Sequence, residues 1–192
     1  MKRYILFFCL TLSSFASWAC SCIGIHPINL TSLNTDQVVV VKIHPQRPFS
    51  NALELSIQKV IKGNSALSGS KILLWQDYFD CSSMPAIDTS HEFVIALDQI
   101  EDADLAGYLG QSHELQSLPD SASYKQTVKE IKNRHNFVLP GCSDSYVKLE
   151  DRMRIEIARK YKRKKNKIIL RKRKKNFGRD AFINYLRELK EI

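Results

Sequence analysis

The segment Gln37 to Ile43, Gln-Val-Val-Val-Val-Lys-Ile, is a continuous apolar run rich in valine, the pattern of a buried strand. Further on, Leu53, Leu55 and Ile57 alternate with Glu54, Ser56 and Gln58, which predicts a half-buried strand. That strand runs through Val60 and Ile61 and is stopped by Lys62-Gly63-Asn64. Lys71 to Trp75 and Glu92 to Leu97 predict a third and a fourth strand. Phe137 to Leu139 is a short fifth, ended by Pro140-Gly141. Five short strands separated by turn residues fit a small closed or partly open β-barrel.

Between Asp98 and His135 the pattern weakens. Glu101, Asp102 and Asp104 make the segment acidic, and Ser117 to Ser123 is a polar turn region containing Pro119. Tyr124, Val128 and Ile131 have helical spacing, so a short helix within an elaborated loop is expected. Past the barrel, Ser143, Asp144 and Ser145 offer N-caps. Tyr146, Leu149, Met153, Ile157 and Tyr161 then recur at spacings of three and four, which predicts a helix packed on the barrel. Glu150 and Asp151 near its start and a basic cluster near its end suit the helix dipole. A last amphipathic segment follows Gly178, with Phe182, Leu186 and Leu189 on one side. The expected frame is therefore mainly β, with added helices and a basic helical tail at the C-terminus.

The N-terminus carries a different kind of pattern. Lys2 and Arg3 precede a mostly apolar stretch from Tyr4 to Leu12, and Thr11 to Ser17 turns small and polar. Ser17 and Ala19 are the small residues a signal peptidase requires, three and one positions before a cut that would leave Cys20 at the new N-terminus. Residues 1–19 are thus expected to be a signal peptide, and the mature chain to be periplasmic or extracellular. The apolar run is too short to span a bilayer, so no transmembrane span is expected. Ser17 and Trp18 do not fit the pattern that precedes a lipidated cysteine, so a lipoprotein is not expected.

Charge divides the chain. Residues 20–147 hold nine Lys/Arg and fourteen Asp/Glu; residues 148–175 hold fifteen Lys/Arg against three acids. The basic character of the whole protein is a local property of the tail. This sets three segments: 1–19, a barrel domain over 20–147, and a basic extension over 148–192. Four cysteines remain after cleavage: Cys20, Cys22, Cys81 and Cys142. An even count in an exported chain predicts two disulfides. Cys20 and Cys22 are too close to bond each other without strain, which leaves two of the three connectivities open. Each bridge closes a long loop and would contribute about 3–5 kcal/mol in the chain-entropy model. A thiol oxidoreductase built on Cys20 and Cys22 would instead need a reactive thiol of lowered pKa. No Cys-X-X-Cys or neighbouring His pair supports a zinc site.

The opening of the mature chain carries a resemblance. Cys20-Ser21-Cys22-Ile23, then His26-Pro27, then Asp36 ahead of Val38 to Lys42, resembles the start of the netrin-like domain of the tissue inhibitors of metalloproteinases. Lys59-Val60-Ile61-Lys62-Gly63 is similar to the end of that family's second strand. The resemblance covers residues 20–147 and extends to bacterial secreted proteins of this type. It implies an OB-type five-stranded barrel and the disulfides Cys20–Cys81 and Cys22–Cys142. It also implies that the amine and carbonyl of Cys20 bind the zinc of a target metalloprotease, with Ser21 entering the specificity pocket and Cys22 and Ile23 along the cleft. The chain would hold no metal or cofactor of its own. Three features differ from the family: its third disulfide is absent, with Ser32 near the place of one cysteine; its cysteine-rich second domain is absent; and residues 98–135 have no counterpart.

Lys160 to Lys165 and Arg171 to Lys175 are dense cationic runs split by Ile168, Ile169 and Leu170. Residues 160–175 are expected to bind a polyanion. Export favours anionic lipid, lipopolysaccharide or polysaccharide, and the lack of interleaved aromatics does not suggest base stacking with nucleic acid. The two functional expectations are a metalloprotease-inhibiting interaction domain and a non-inhibitory envelope module acting through the basic tail. The histidines His26, His44, His91, His113 and His135 are scattered, no nucleophile motif or phosphate loop occurs, and Asp77 and Asp80 suit loop solvation. No enzymatic activity is expected.

Overall fold

The computed structural model describes residues 27–76, 85, 88–141, 145–164 and 167–189, with residues 159–164 and 167–170 described by their backbone. The predicted signal peptide and the cysteines 20, 22, 81 and 142 lie outside the described residues, as do Ser21, Ile23, His26, Asp77 and Asp80. A short helix α1 (Ile28–Asn34) leads into strand β1 (Gln37–Ile43). Strands β2 (Ala52–Lys62), β3 (Lys71–Trp75) and β4 (Glu92–Gln99) follow. Three helices, α2 (Asp102–Gly110), α3 (His113–Gln116) and α4 (Ser121–Lys132), separate β4 from β5 (His135–Val138).

The five strands pair in the order β1-β2-β3-β5-β4, and β4 returns to β1. β3 and β5 run parallel and the other pairs antiparallel, which makes the closed, mixed barrel of the OB type. The register of β1 against β2 slips between Val38 and Val39 and again between Val40 and Val41. Such bulges coil a strand pair and let a small sheet curl shut. Val39, Val41, Leu53, Leu55, Ile57, Ile72, Leu74, Ile95, Leu97 and Phe137 fill the barrel interior.

The unbroken apolar run of β1 has its reason in two cores. Val39, Val41 and Ile43 point inward, while Val38 and Val40 belong to a second cluster on the outside of the barrel. β3 is covered on both faces as well. Its Leu73 and Trp75 pack outward against Leu105, Leu109, Leu115 and Ile131 of the helices. Trp75 Nε1 donates to Asn136 Oδ1 at 2.8 Å, and Asn136 Nδ2 donates in turn to the carbonyls of Ile131 and Arg134. The region expected to be an elaborated loop with one helix is thus a three-helix layer tied to the barrel wall.

The predicted helix over residues 146–161 is corrected by the structure. Tyr146–Lys148 form a short strand β6 on β4, and Met153–Lys164 (β7) and Lys167–Phe177 (β8) form a separate antiparallel ribbon. Ser145 caps no helix: its hydroxyl donates to the Pro140 carbonyl at 3.0 Å, and its own carbonyl accepts the Ala96 N–H. The physical reason lies in residues the helical stripe skipped. Met153-Arg154-Ile155-Glu156-Ile157 alternates at period two, and Met153, Ile155 and Ile157 are all buried while Arg154 is exposed. The packing half of the expectation holds, since Leu149, Met153 and Ile157 do pack on the barrel. The tail ends in helix α5 (Arg179–Arg187); of the predicted stripe Phe182 and Leu186 are buried and Leu189 is half-buried, and Ile183, which that stripe leaves out, is buried as well.

Candidate functional site

The basic ribbon grows out of the outer core. Its root is apolar: Met153 pairs with Phe177, and Ile155 and Ile157 follow along β7. These side chains join Ile28 of α1, Val38, Val40, Val94 and Ala96 of the barrel, and Phe182, Ile183 and Leu186 of α5 in one cluster. Phe177 lies 5.3 Å from Phe182 and 5.1 Å from Tyr185, centroid to centroid. Lys175 Nζ stands 4.7 Å from the Phe177 ring and 5.4 Å from the Tyr185 ring, so a cation at the root of β8 sits over an aromatic platform.

A buried polar clasp marks where the ribbon leaves the body. Asn29, fully buried on α1, donates through Nδ2 to the Ala158 carbonyl at 3.0 Å, and its Oδ1 accepts the Ala158 N–H at 2.9 Å. The carboxamide thus pairs the outer edge of β7 as a neighbouring strand would. Nδ2 also lies 3.3 Å from the Tyr185 hydroxyl. Burial pushes the Tyr185 phenol up, against smaller downward pulls from Asn29 and from the Arg173 guanidinium. At the same residue the ladder is irregular: Ala158 opposes Lys172, but Lys160 opposes Arg171, so Arg159 is an extra residue in β7.

From here the ribbon is strongly cationic. Residues 153–177 contain thirteen Lys/Arg and a single acid, Glu156, whose carboxylate lies 3.5 Å from Lys172 Nζ. Arg171, Arg173, Lys174 and Lys175 are exposed on β8. On the body of the protein, several cations are matched instead. Lys71 and Arg134 both bind Glu54, and Lys148 lies between Asp88 and Glu150. Arg179 binds Glu92. Lys62 donates to the carbonyls of Ser32, Leu33 and Thr35 at the C-terminal end of α1. The ribbon is where positive charge accumulates far beyond its own acid.

Two further polar features stand out among the described residues. Asp88, Ser90 and His91 meet in one turn, with Ser90 Oγ 2.7 Å and Asp88 Oδ2 2.9 Å from the same ring nitrogen, Nδ1, of His91. A hydrolytic triad needs the serine and the carboxylate on opposite ring nitrogens, so this arrangement is a turn lock. The Ser90 and His91 contacts pull the Asp88 carboxyl well below the usual range. A hollow of about 280 Å³ beside α2, lined by Gln99, Asp104, Tyr108 and Gln111 among others, holds no base–nucleophile pair. Among the described residues, no group of three His, Cys, Asp or Glu could hold a metal ion. No helix among them is long and apolar enough to cross a membrane.

The proposed partner-binding residues Cys20 to Ile23 and the four bridging cysteines fall outside the described residues. The strands that lead to two of them are described. β3 and β5 run parallel with Trp75 opposite Val138, so the segments that carry Cys81 and Cys142 leave from adjacent strand ends. Asp36, just ahead of β1, accepts the Gln99 N–H, and its own N–H donates to Asp98 Oδ1 at 3.3 Å. Sequence reasoning does not single out Asn29 or Tyr185; a lone Asn on a short helix and a Tyr in an amphipathic one carry no signal of their pairing. No protein-family model matches the chain, and neither a curated protein nor a solved structure matches it.

Proposed function

We propose that the chain is an exported interaction module that binds an anionic partner through its β7–β8 ribbon. The observation that supports this reading is the ribbon itself, whose root is fixed by an apolar core and a buried Asn29 clasp and whose length carries thirteen cations against one acid. A rigidly rooted array of like charges attracts a polyanion at little ordering cost. The predicted signal peptide directs the choice of partner toward envelope phosphates and acidic polysaccharides. The test is a salt titration of binding to inorganic polyphosphate. The logarithm of the affinity should fall linearly with the logarithm of the salt concentration. Neutralising Arg171, Arg173 and Lys174 to Gln should make the slope shallower by roughly one for each phosphate that is no longer neutralised. No binding at low salt, or an unchanged slope in the triple variant, would sink the reading.

A second reading is inhibition of a zinc metalloprotease by the amine and carbonyl of Cys20. It is favoured by the OB-type strand order and by the departure of the segments that carry Cys81 and Cys142 from adjacent strand ends. A catalytic zinc keeps an open position that such a chelate could fill. Non-reducing peptide mapping should find Cys20–Cys81 and Cys22–Cys142, and one added alanine before Cys20 should abolish inhibition of a metalloprotease panel. Equal inhibition by native and extended forms, or none by either, removes this mechanism.

A further inference from the structure

The extra residue Arg159 sorts the distal ribbon. If the root register of Ile157 opposite Arg173 and Ala158 opposite Lys172 simply continued, Lys160 would oppose Leu170 and Lys162 would oppose Ile168. Cations and aliphatic residues would then be mixed on one face. The other face would be mixed too, with Tyr161 opposite Ile169 and Arg163 opposite Lys167. The observed register instead pairs Lys160 with Arg171, Lys162 with Ile169, and Lys164 with Lys167. Opposed residues of an antiparallel pair share a face, so this face holds five cations among six positions. The alternate face holds Tyr161 opposite Leu170 and Arg163 opposite Ile168, three apolar residues among four. The bulge thus converts a mixed tip into a two-faced one.

We infer that the distal ribbon, residues 160–164 and 167–171, is a membrane-interface element for anionic lipid. This rests on the anion-binding reading above and names its target. A soluble polyanion is served by cations on either face and gains nothing from a separate apolar row. A bilayer surface uses both: an apolar row suits the boundary between headgroups and acyl chains, and a cationic face suits the lipid phosphates. Five residues of strand from Lys160 to Lys164 span about 13 Å along the ribbon. An amphipathic element that lies in the interface plane sinks by about 5–10 Å, deep enough for the apolar side chains while the charged face stays at the headgroups. Binding therefore has an electrostatic part set by lipid charge and an apolar part that salt does not remove.

The experiment compares vesicles of phosphatidylglycerol and phosphatidylcholine, vesicles of pure phosphatidylcholine, inorganic polyphosphate and a short DNA duplex. It uses the wild-type chain and the variant Ile168→Ser/Leu170→Ser, checked for unchanged far-ultraviolet dichroism. The wild type should bind the anionic vesicles, and the variant should lose about tenfold or more of that affinity. Its polyphosphate affinity should stay within about twofold, because the charges are intact. Tyr161→Trp should be quenched by brominated acyl chains in anionic vesicles only. If the variant binds anionic vesicles as tightly as the wild type, or the tryptophan is not quenched, the lipid assignment fails while the anion-binding reading stands. The lipid assignment also fails if duplex DNA is bound more tightly than anionic vesicles. If the wild type binds none of the four probes, the anion-binding reading itself fails.

Discussion

Asn29→Ala is the sharpest probe of how the ribbon is rooted. The carboxamide is fully buried and serves three groups: the Ala158 N–H at 2.9 Å, the Ala158 carbonyl at 3.0 Å and the Tyr185 hydroxyl at 3.3 Å. Ala158 is itself 3% exposed, so truncation strands a backbone donor and a backbone acceptor away from water. Each stranded group costs about 1–3 kcal/mol. Partial entry of water into the space left by the side chain offsets some of this, and a loss of about 2–4 kcal/mol is expected. Urea unfolding followed by circular dichroism would measure it as a fall in midpoint at unchanged slope. Amide exchange at Ala158 should accelerate in the same variant. Tyr185→Phe, which removes only the long third hydrogen bond, should cost less than about 1 kcal/mol. A midpoint shift for Asn29→Ala no larger than that for Tyr185→Phe, with Ala158 exchange unchanged, would refute the clasp.

Three further outcomes rest on the packing and the charges. Phe182→Ala removes a fully buried ring from between the barrel, Phe177 and the ribbon root, and should lower unfolding stability by about 3–5 kcal/mol in the same urea assay. Gly63 has φ +104°, and a Cβ there would stand 2.0 Å from Gln37 Oε1 and 2.6 Å from the Asp36 carbonyl; Gly63→Ala should cost more than the roughly 1–2 kcal/mol of the left-handed backbone alone. Burial alone would push the Glu114 carboxyl up. The Ser50 N–H and the hydroxyls of Ser50 and Ser112 outweigh it and draw the carboxyl down from 4.5 to about 2. A depressed acid stabilises the fold above its unfolded value, and that part is lost as the pH falls from 4.5 toward about 2. Melting curves of Glu114→Gln taken across that window should therefore fall less steeply than wild type; an identical fall would remove Glu114 from the acid response.

The barrel is legible in the sequence because its strands carry their own period. Leu53, Leu55 and Ile57 alternate cleanly, and the valine run of β1 signals a buried strand, though not which core covers each face. The topology comes only through the resemblance, since nothing in five short strands says that β5 lies parallel to β3. The ribbon is misread because two periods coexist in one segment. Tyr146, Leu149, Met153, Ile157 and Tyr161 satisfy helical spacing, yet Met153, Ile155 and Ile157 satisfy strand spacing, and the second pattern wins because Ile155 is buried beside its neighbours. The β-branched residues Ile155, Ile157, Ile168 and Ile169 point the same way. Asn29 leaves no trace in the sequence, because its value comes from a backbone group 129 residues away.

The ribbon also carries a local conflict that bears on what it is for. Its observed register places Lys160 opposite Arg171 and Lys164 opposite Lys167, and like charges at directly opposed positions are unfavourable by several tenths of a kcal/mol each. An unbulged register would not avoid such pairs, since Arg163 would oppose Lys167 and Arg159 would oppose Arg171. It would, however, spread the cations over both faces and set Lys160 beside an aliphatic partner, Leu170, in place of Arg171. The observed register gathers five cations on one face, so that diagonal neighbours repel as well, and it leaves Arg159 outside the ladder. Free in solution, the tip is thus more crowded with like charge on one side than the sequence requires. An apolar root and a buried clasp fix where β7 departs from the body, just before the bulge. Conflicts of this kind, where local preference disagrees with the fold, concentrate at working sites. An anionic surface removes the conflict, since each phosphate between neighbouring lysines turns a repulsion into two attractions. The same partner gives the segregated apolar row somewhere to go, so one class of ligand answers both features that the bulge creates.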